Sequence, residues 1–501
     1  MRWGYARRAG AFVATVAVAL AACGVGSLWR SDTAATSVIP VRKKAWEDTF
    51  GGRTAAKAHL AARLAAWPTR LTVDRSELPR DDRAFLWQLA RDTWRGIDGM
   101  VDVETGLPID HVRFEGGSLD PATADIGDYT STTNIGLYLA SVVAARDLGF
   151  VSDDGARARV HAVLGTLRRL QSYHGFYFNF YDTVSLERTS TFVSFIDSSW
   201  LMAGLLVARQ GMPELAGEID RLMAPRNLGI FYDPKLDLMS HGYDVARRRA
   251  SVYHYGAFYT EARLGSLIAI GRGDAPARHW FEMARVFPVE RLDEYHRAER
   301  ATRPEADVVS SHYYEWQGVR FVPSWGGSMF EALMPSIFLD EEAWAPGSLG
   351  ANGIAHVEVH RRFAEHVLGY PVWGMSPCMT ANGHYGEFGV PPLGVRGYAT
   401  GPVTSHAAAL ALLAAPGTAE HNLRELVDRY DLYGDFGLYD AVDPPSGVVT
   451  HAYLTLDQTM TFLALADHVG GNAVRRRFMA SPVVQHAMAL IGAERNERFF
   501  D

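Results

Sequence analysis

Residues 132–170 read TTNIGLYLASVVAARDLGFVSDDGARARVHAVLGTLRRL, and this stretch indicates the class of fold. Its first part is a mainly apolar run of helical length that ends at Gly149, and its second part begins at Ser152, a residue type that starts helices. From there apolar residues recur at the spacing of a buried helix face, at Val160, Val163, Leu164, Leu167 and Leu170. The two parts predict two helices joined by a short turn, an αα-hairpin.

Similar helical patterns continue along the chain, whereas strand-like alternation is scarce and no residue-level repeat is visible. The further helices are predicted near residues 198–210, 214–224, 256–270, 328–338, 353–367, 404–413, 418–430, 457–468, 471–480 and 483–492. Sequential hairpins joined by long loops rich in aromatic residues and glycine favour a toroid of paired helices over a plain bundle, whose connections would be shorter. The predicted fold class is therefore all-α.

Composition and charge limit the classes of function that the chain can have. The chain has 501 residues, 48% of them apolar, and a net charge of −8, which is ordinary globular composition. The acidic balance argues against a nucleic-acid partner, which normally requires a basic surface. Since no linker interrupts the later part, we expect three segments: 1–22 as a signal peptide, 23–74 as a tether and lead-in, and 75–501 as one domain.

The N-terminus has the features of an export signal. Three arginines precede an apolar core at residues 11–22, which is too short to cross a bilayer, and Leu-Ala-Ala-Cys-Gly follows at residues 20–24. That last stretch resembles the lipobox of bacterial lipoproteins, which implies cleavage before Cys23 and lipidation of Cys23. The alternative is an ordinary signal peptide or an uncleaved anchor. We expect an exported, membrane-anchored monomer of the periplasm or cell envelope without an intramolecular disulfide, because Cys378 is the only other cysteine.

Five clusters place carboxylates beside Trp, Tyr or Phe, which is typical of sugar-binding surfaces. Aromatic faces stack on sugar rings, while carboxylates and amides bind hydroxyl groups. The clusters lie at residues 175–200, 253–264, 325–331, 373–389 and 439–458. The candidate sugar-binding residues in them are Tyr181, Trp200, Tyr255, Trp325, Glu331, Trp373, Tyr385, Glu387, Tyr439, Asp440 and Asp457.

Glycoside hydrolysis requires two carboxyl groups, one of them protonated, and our candidates are Glu261, Asp197 and Asp182. A carboxyl group walled by aromatic residues keeps its proton more easily. Each candidate also has a structural interpretation. Glu261 and Asp197 fall where helices are predicted to begin, a position that favours acids in any protein. Likewise, Asp182, Asp440 and Asp457 fit loop or cap positions, and Glu331 fits a buried, paired structural acid.

The sequence shows no signal for a metal or a cofactor. It has no HExxH motif, no Cys/His cluster, no phosphate-binding loop and no Gly-x-Ser-x-Gly elbow. We therefore expect His254, His384 and His406 to be hydrogen-bonding or core residues, and no cofactor.

The clusters, in this order, resemble the bacterial glycoamylase-like family, which includes endo-β-1,2-glucanases and a region of cyclic β-1,2-glucan synthases. The matching stretches lie at residues 132–138, 181–182, 193–197, 261–264, 327–335, 388–391 and 436–440. The resemblance implies an (α/α)6 toroid with a sugar cleft at one end, a glucan partner, and Glu261, in its Glu-Ala-Arg-Leu stretch, as the key acid.

One departure bears on the mechanism. The synthase-type region has a second catalytic Glu shortly after a Trp-Gly-x-Ser stretch, where this chain has Pro377. Without that residue a synthase-like retaining mechanism would need Glu387 as a substitute, and the glucanase branch of the family instead resembles an inverting enzyme. This resemblance implies inversion, with Asp197, Asp182 or Asp457 as the base or as the residue that positions the water. Two other functions stay open. One is an inactive glycan-binding lipoprotein, and the other is a toroid polysaccharide lyase with a Tyr or His base.

Overall fold

Helices form the frame of the structure. The computed structural model describes residues 73–114, 124–287, 307–308 and 313–500, so the predicted signal peptide, Cys23 and nearly all of the tether lie outside the described residues. Within the described ranges, no helix is both long and apolar enough to span a membrane. In chain order the α-helices are α1 Asp82–Gly99, α2 Thr132–Asp147, α3 Asp153–Leu167, α4 Phe195–Gly211, α5 Ala216–Met223, α6 Ala262–Arg272, α7 Arg278–Glu282, α8 Met329–Leu333, α9 Glu341–Trp344, α10 Ala351–Arg362, α11 Ser405–Leu410, α12 Pro416–Arg429, α13 Thr455–Gly470, α14 Ala473–Met479 and α15 Pro482–Leu490.

Six of the described helices form an inner ring, namely α2, α4, α6, α8, α11 and α13. Helix α2 packs between α4 and α13, α4 also packs on α6, and α11 packs between α8 and α13. Arg263 of α6 donates hydrogen bonds to the backbone carbonyls of Glu331 and Ala332 in α8, which closes the ring. These helices are apolar on nearly all sides because protein surrounds them on all sides.

A second layer of helices covers the ring, and each inner helix has an outer partner. Helices α3, α5, α10 and α12 pack on the inner helices α2, α4, α8 and α11, while α15 packs on α6 and α1 packs on α13. The outer helices α1, α3, α5 and α12 bury only one face. The arrangement is the predicted all-α toroid, an (α/α)6 barrel. The sequence patterns did not include α1, and the helix predicted over 256–270 begins only at Ala262, after a strand.

Numerous short strands join the helices. They are β1 His111–Arg113, β2 Asp125–Ile126, β3 Tyr129–Ser131, β4 Ser172–Tyr173, β5 Phe176–Tyr177, β6 Phe180–Asp182, β7 Phe192–Ser194, β8 Tyr232–Asp233, β9 Leu238–Ser240, β10 Gly242–Asp244, β11 Arg249–Ala250, β12 His254–Tyr255, β13 Asp307–Val308, β14 Tyr314–Trp316, β15 Val319–Phe321, β16 Cys378–Met379, β17 Tyr385–Gly386, β18 Val403–Thr404, β19 Tyr433–Gly434, β20 Gly437–Leu438, β21 Ala441–Asp443, β22 Val448–Thr450 and β23 Ala452–Leu454. Strands of two or three residues are too short to show an alternating pattern in the sequence. All of the named strand pairs are antiparallel, as in β3 with β6 and β7 with β10.

Four of these strands run directly into inner helices. Strands β3, β7, β18 and β23 end one residue before α2, α4, α11 and α13 begin. In the first three cases the last strand residue caps the helix. The hydroxyls of Ser131, Ser194 and Thr404 accept hydrogen bonds from backbone N–H groups three residues later. Local sequence therefore fixes where these three inner helices start, and so which side chains occupy their first turns.

Helices α2 and α4 approach each other closely at two glycines. A Cβ atom added to Gly204 would lie 1.9 Å from the backbone oxygen of Gly136. Only glycine permits this contact, since any side chain would have to push the helices apart. The close crossing brings the first turns of α2 and α4 together.

Candidate active site

A pocket opens where the first turns of five inner helices meet. The space between its atoms, part of it open to solvent, amounts to about 420 Å³. The lining residues come from the starts of α2, α4, α6, α8 and α13 and from the segments before β1 and in β6: Asp110, Ser131, Thr133, Asn134, Phe180, Ile196, Asp197, Trp200, Glu261, Phe330 and Leu456. Of the residues predicted from sequence, this pocket brings together Glu261, Asp197 and Trp200.

Glu261 is the residue immediately before α6 and lines the pocket. Only 2% of the residue is exposed. Its side chain forms no capping hydrogen bond with the helix, so capping does not explain the acid at this position. The Arg263 guanidinium two residues later interacts electrostatically with Glu261, while forming a buried ion pair with Glu341 at 2.7 Å.

Asp197 is the third residue of α4 and connects two inner helices. Its Oδ1 accepts a hydrogen bond of 2.7 Å from the hydroxyl of Thr133 in α2. Burial raises the pKa of Asp197 to about 6, although hydrogen bonds from Ser194 and Thr133 act in the opposite direction. Among the described residues, its Oδ2 has no hydrogen-bond partner. Asp197 thus has one fixed oxygen and one oxygen that can bind water or substrate.

Asp110 is a third carboxylate in the pocket, and sequence reasoning did not identify it. Its Oδ1 accepts from the side-chain amide of Asn134 at 3.3 Å, and its Oδ2 lies 2.9 Å from Nδ1 of His111. Burial lowers the pKa of His111, but hydrogen bonds and charge interactions with Asp110 and Asp125 outweigh it and raise the pKa to about 9. Asp110 therefore faces a cationic imidazole at neutral pH. No aromatic residue adjoins Asp110 in the sequence, so the search for aromatic–acid clusters missed it.

Two predicted acids have structural partners. Oδ1 of Asp182 accepts hydrogen bonds from the backbone N–H groups of Val184 and Ser185, which stabilises the turn after β6. Oε2 of Glu331 accepts from the hydroxyls of Ser324 and Ser328 at 3.1 and 2.9 Å. Glu331 also forms a capping box with Ser328 at the start of α8. The interpretation of Glu331 as a buried structural acid fits this geometry.

The remaining predicted sugar-binding residues do not line this pocket. Four aromatic residues are buried in the main hydrophobic core, namely Tyr181, Tyr255, Trp373 and Tyr439. Three other residues are half-buried, namely Trp325, Tyr385 and Glu387. In their place the pocket has Phe180 and Phe330, which were not individually predicted from the sequence.

A second group of ionisable residues lies beside the pocket, next to the lining residue Leu456. Asp457, the third residue of α13, Asp440, between β20 and β21, and His406, in the first turn of α11, are each about 1–2% exposed. Ligand atoms of the three lie within 4.8 Å of one another. Asp440 and Asp457 are close enough to hydrogen bond if one of them keeps its proton. Burial raises the pKa of both carboxyl groups.

The chain resembles known carbohydrate-active proteins. Residues 254–482, which include Glu261 and the Asp440–Asp457 pair, match the Glycoamylase family model, described as "Putative glucoamylase". The cyclic β-(1,2)-glucan synthase NdvB of Rhizobium meliloti (strain 1021) is 25% identical over 81% of this chain, which spans 18% of that protein.

Solved structures with the same fold include two glucanases. The endo-β-1,2-glucanase from Chitinophaga pinensis, in complex with sophorotriose and glucose, has a TM-score of 0.66 at 14% identity, covering 82% of this chain and 98% of that one. The β-1,2-glucanase from Parabacteroides distasonis has a TM-score of 0.69 at 16% identity, covering 83% of this chain and 60% of that one. These similarities confirm the predicted toroid.

Proposed function

We propose that the chain is a glycoside hydrolase acting on β-1,2-linked glucan, on the premise that residues 254–482 match the Glycoamylase family model and that the chain is similar to part of a cyclic β-1,2-glucan synthase. The observation that carries the proposal is the pocket, in which Glu261, Asp197 and Asp110 meet the aromatic side chains of Trp200 and Phe330. Carboxyl groups beside aromatic faces are what glycosidic cleavage requires.

In the proposed mechanism Glu261 is the general acid. Its carboxyl group is almost fully buried and lines the pocket together with the aromatic side chains of Trp200 and Phe330. Glu261 donates its proton to the glycosidic oxygen as the bond to the anomeric carbon breaks. The leaving sugar departs with a new hydroxyl group.

Asp197 is the proposed base. Above pH 6 it is mainly ionised, and its Oδ2 is available to accept a proton from a water molecule. That water attacks the anomeric carbon from the opposite face, which inverts its configuration. Asp110, whose Oδ2 lies 2.9 Å from Nδ1 of His111, stabilises the positive charge that develops on the sugar ring.

The inverting mechanism is favoured by the residues at the two positions that a retaining enzyme would use. Pro377 stands where the synthase-type region has its second Glu, and Glu387 is not among the residues lining the pocket. NMR of the first product released from β-1,2-glucan tests this point. Inversion gives the α-anomer of a β-linked substrate, and an initial β-anomer would contradict it.

The central test replaces Glu261. In Glu261→Gln, release of new reducing ends from β-1,2-glucan should fall by at least about a thousandfold, because the amide cannot protonate the leaving oxygen. Glycan binding should change little, since size and polarity are preserved. The matched control is Glu282→Gln, which alters an exposed residue of α7 and should leave activity unchanged. A Glu261→Gln protein with full activity would overturn the assignment.

The assay for new reducing ends, run on a panel of β-glucans, separates the alternative functions. A glycan-binding lipoprotein would retain the polymer without producing new ends, and a lyase would produce unsaturated, ultraviolet-absorbing sugars. We favour hydrolysis because the pocket holds three carboxyl groups.

We also propose that the protein is exported and held at a membrane by lipidation of Cys23, as a monomer. The support is the arginine-rich start, the short apolar core and the lipobox-like residues 20–24. Radiolabelled palmitate should label the full chain in a bacterial host. Cys23→Ser should abolish the label, and its persistence would contradict the proposal.

A further inference from the structure

The group formed by His406, Asp440 and Asp457 has no role in the proposed cleavage. All three side chains are almost fully buried. In the described part of the chain, neither ring nitrogen of His406, neither oxygen of Asp457, nor Oδ1 of Asp440 has a hydrogen-bond partner. Buried polar atoms without partners are costly, and a proton shared by the two carboxyl groups would still leave both nitrogens of His406 without a hydrogen-bond partner.

The three side chains provide suitable ligands for a metal ion. Two buried carboxyl groups and the imidazole of His406 each offer a ligand atom, and these atoms lie within 4.8 Å of one another. An imidazole nitrogen and two carboxylates form a donor set for a divalent cation, whose two charges balance the two carboxylates.

The geometry agrees with coordination. His406 Nδ1 and Asp457 Oδ1 lie 3.7 Å apart, a separation that two ligands of one metal ion adopt at bond lengths of about 2.0–2.2 Å. The backbone N–H of Met379 donates to Oδ2 of Asp440 at 2.8 Å, which orients that carboxylate as outer contacts do around metal ligands.

We propose that His406, Asp440 and Asp457 bind a divalent transition-metal ion of the Zn²⁺ or Mn²⁺ type. The imidazole argues against Ca²⁺ and Mg²⁺, which prefer oxygen ligands alone. The site would join α11, α13 and the loop before β21, and thereby stabilise one side of the ring. This inference does not depend on the proposed glucan cleavage. It replaces the expectation of no metal, which rested on motifs with ligands close together in sequence.

The test measures metal content and stability of the full chain. Protein treated with a chelator is dialysed against ZnCl₂ or MnCl₂, and bound metal is measured by inductively coupled plasma mass spectrometry. We expect about one ion per chain and a higher melting temperature than for the chelator-treated protein. If the wild-type protein binds neither ion and its melting temperature does not change, the proposal is wrong, and the two carboxyl groups share a proton instead.

Variants locate the ion. Asp457→Asn and His406→Gln should each weaken metal affinity by at least about tenfold. Asp443→Asn, a change at a half-buried carboxylate in β21 three residues after Asp440, is the matched control and should retain the ion. Equal metal content in all four proteins would place the metal elsewhere and overturn the proposal. If Asp457→Asn does not fold, the absorption of bound Co²⁺ is compared between the wild-type protein and His406→Gln. Loss of this absorption in His406→Gln supports the site, and an unchanged spectrum contradicts it.

Discussion

The hydroxyl of Thr133 donates a hydrogen bond of 2.7 Å to Oδ1 of Asp197, and this bond joins the first turns of α2 and α4 inside the pocket. The two residues are far apart in the sequence, and the close crossing at Gly136 and Gly204 brings them together. The bond favours the ionised form of Asp197 and opposes the effect of burial.

Removal of this hydrogen bond should change the pH dependence of activity. In Thr133→Val the pKa of Asp197 should rise by about one further unit, because the ionised carboxylate loses a hydrogen-bond donor. The acid limb of kcat/KM against pH should move upward by the same amount. Thr166→Val also removes a buried hydroxyl, one that donates to the backbone oxygen of Thr105, and should leave the pH profile unchanged. Identical profiles for Thr133→Val and the wild-type protein would argue against Asp197 as base.

Asp197 itself should lower stability while supporting activity. Its pKa is raised from 3.8 to about 6 on folding. The contribution of the protonated carboxyl group to the free energy of unfolding is therefore full below about pH 4 and is lost as the pH rises through about 6. Asp197→Asn should therefore be inactive yet more stable at pH 8, by roughly 1–3 kcal/mol. Urea unfolding at pH 4 and pH 8 checks this, since the stabilisation should nearly vanish at the lower pH. A variant less stable than the wild-type protein at both pH values would contradict it.

Replacement of Glu331 should affect stability rather than substrate binding. Glu331→Gln cannot accept all the hydrogen bonds that Ser324, Gly326 and Ser328 donate to the carboxylate, so unfolding free energy should fall by about 1–3 kcal/mol. KM for the glucan should not change in protein that remains folded. A large rise in KM without loss of stability would restore the sequence-based prediction that Glu331 binds sugar.

The contact between α2 and α4 should not tolerate a methyl group. Gly204→Ala should lower stability by about 3 kcal/mol or more and should also reduce activity, because separating the helices breaks the Thr133–Asp197 contact. Gly217→Ala is the control on the exposed side of α5, where the nearest atom to the added Cβ is 3.9 Å away. It should be neutral or stabilising by about 0.5–1 kcal/mol. Thermal unfolding and initial rates measure both effects.

The sequence predicted the frame of the molecule well because helix signals are local. The apolar spacing in residues 153–167 and the cap at Ser152 act over a few residues, so α3 could be recognised without the fold, and α2 begins at Thr132 as predicted. Helix α4, predicted near residues 198–210, begins earlier, at Phe195. The short strands gave no such signal, and α6 begins later than predicted because residues 256–261, which follow β12, form a loop.

The sequence by itself determined the helical class and the types of residue needed for chemistry on sugars, and it predicted the export signal. Only the tertiary structure decided which of them meet. Closing the ring brought Asp110, Thr133 and Asn134 close to Asp197 and Glu261. It buried Tyr181 and Tyr439 in the core. It also placed His406 beside Asp440 and Asp457. The physical reason is range: caps and periodicity act between neighbours in the chain, whereas a pocket is formed by helices that pack together from distant parts of it.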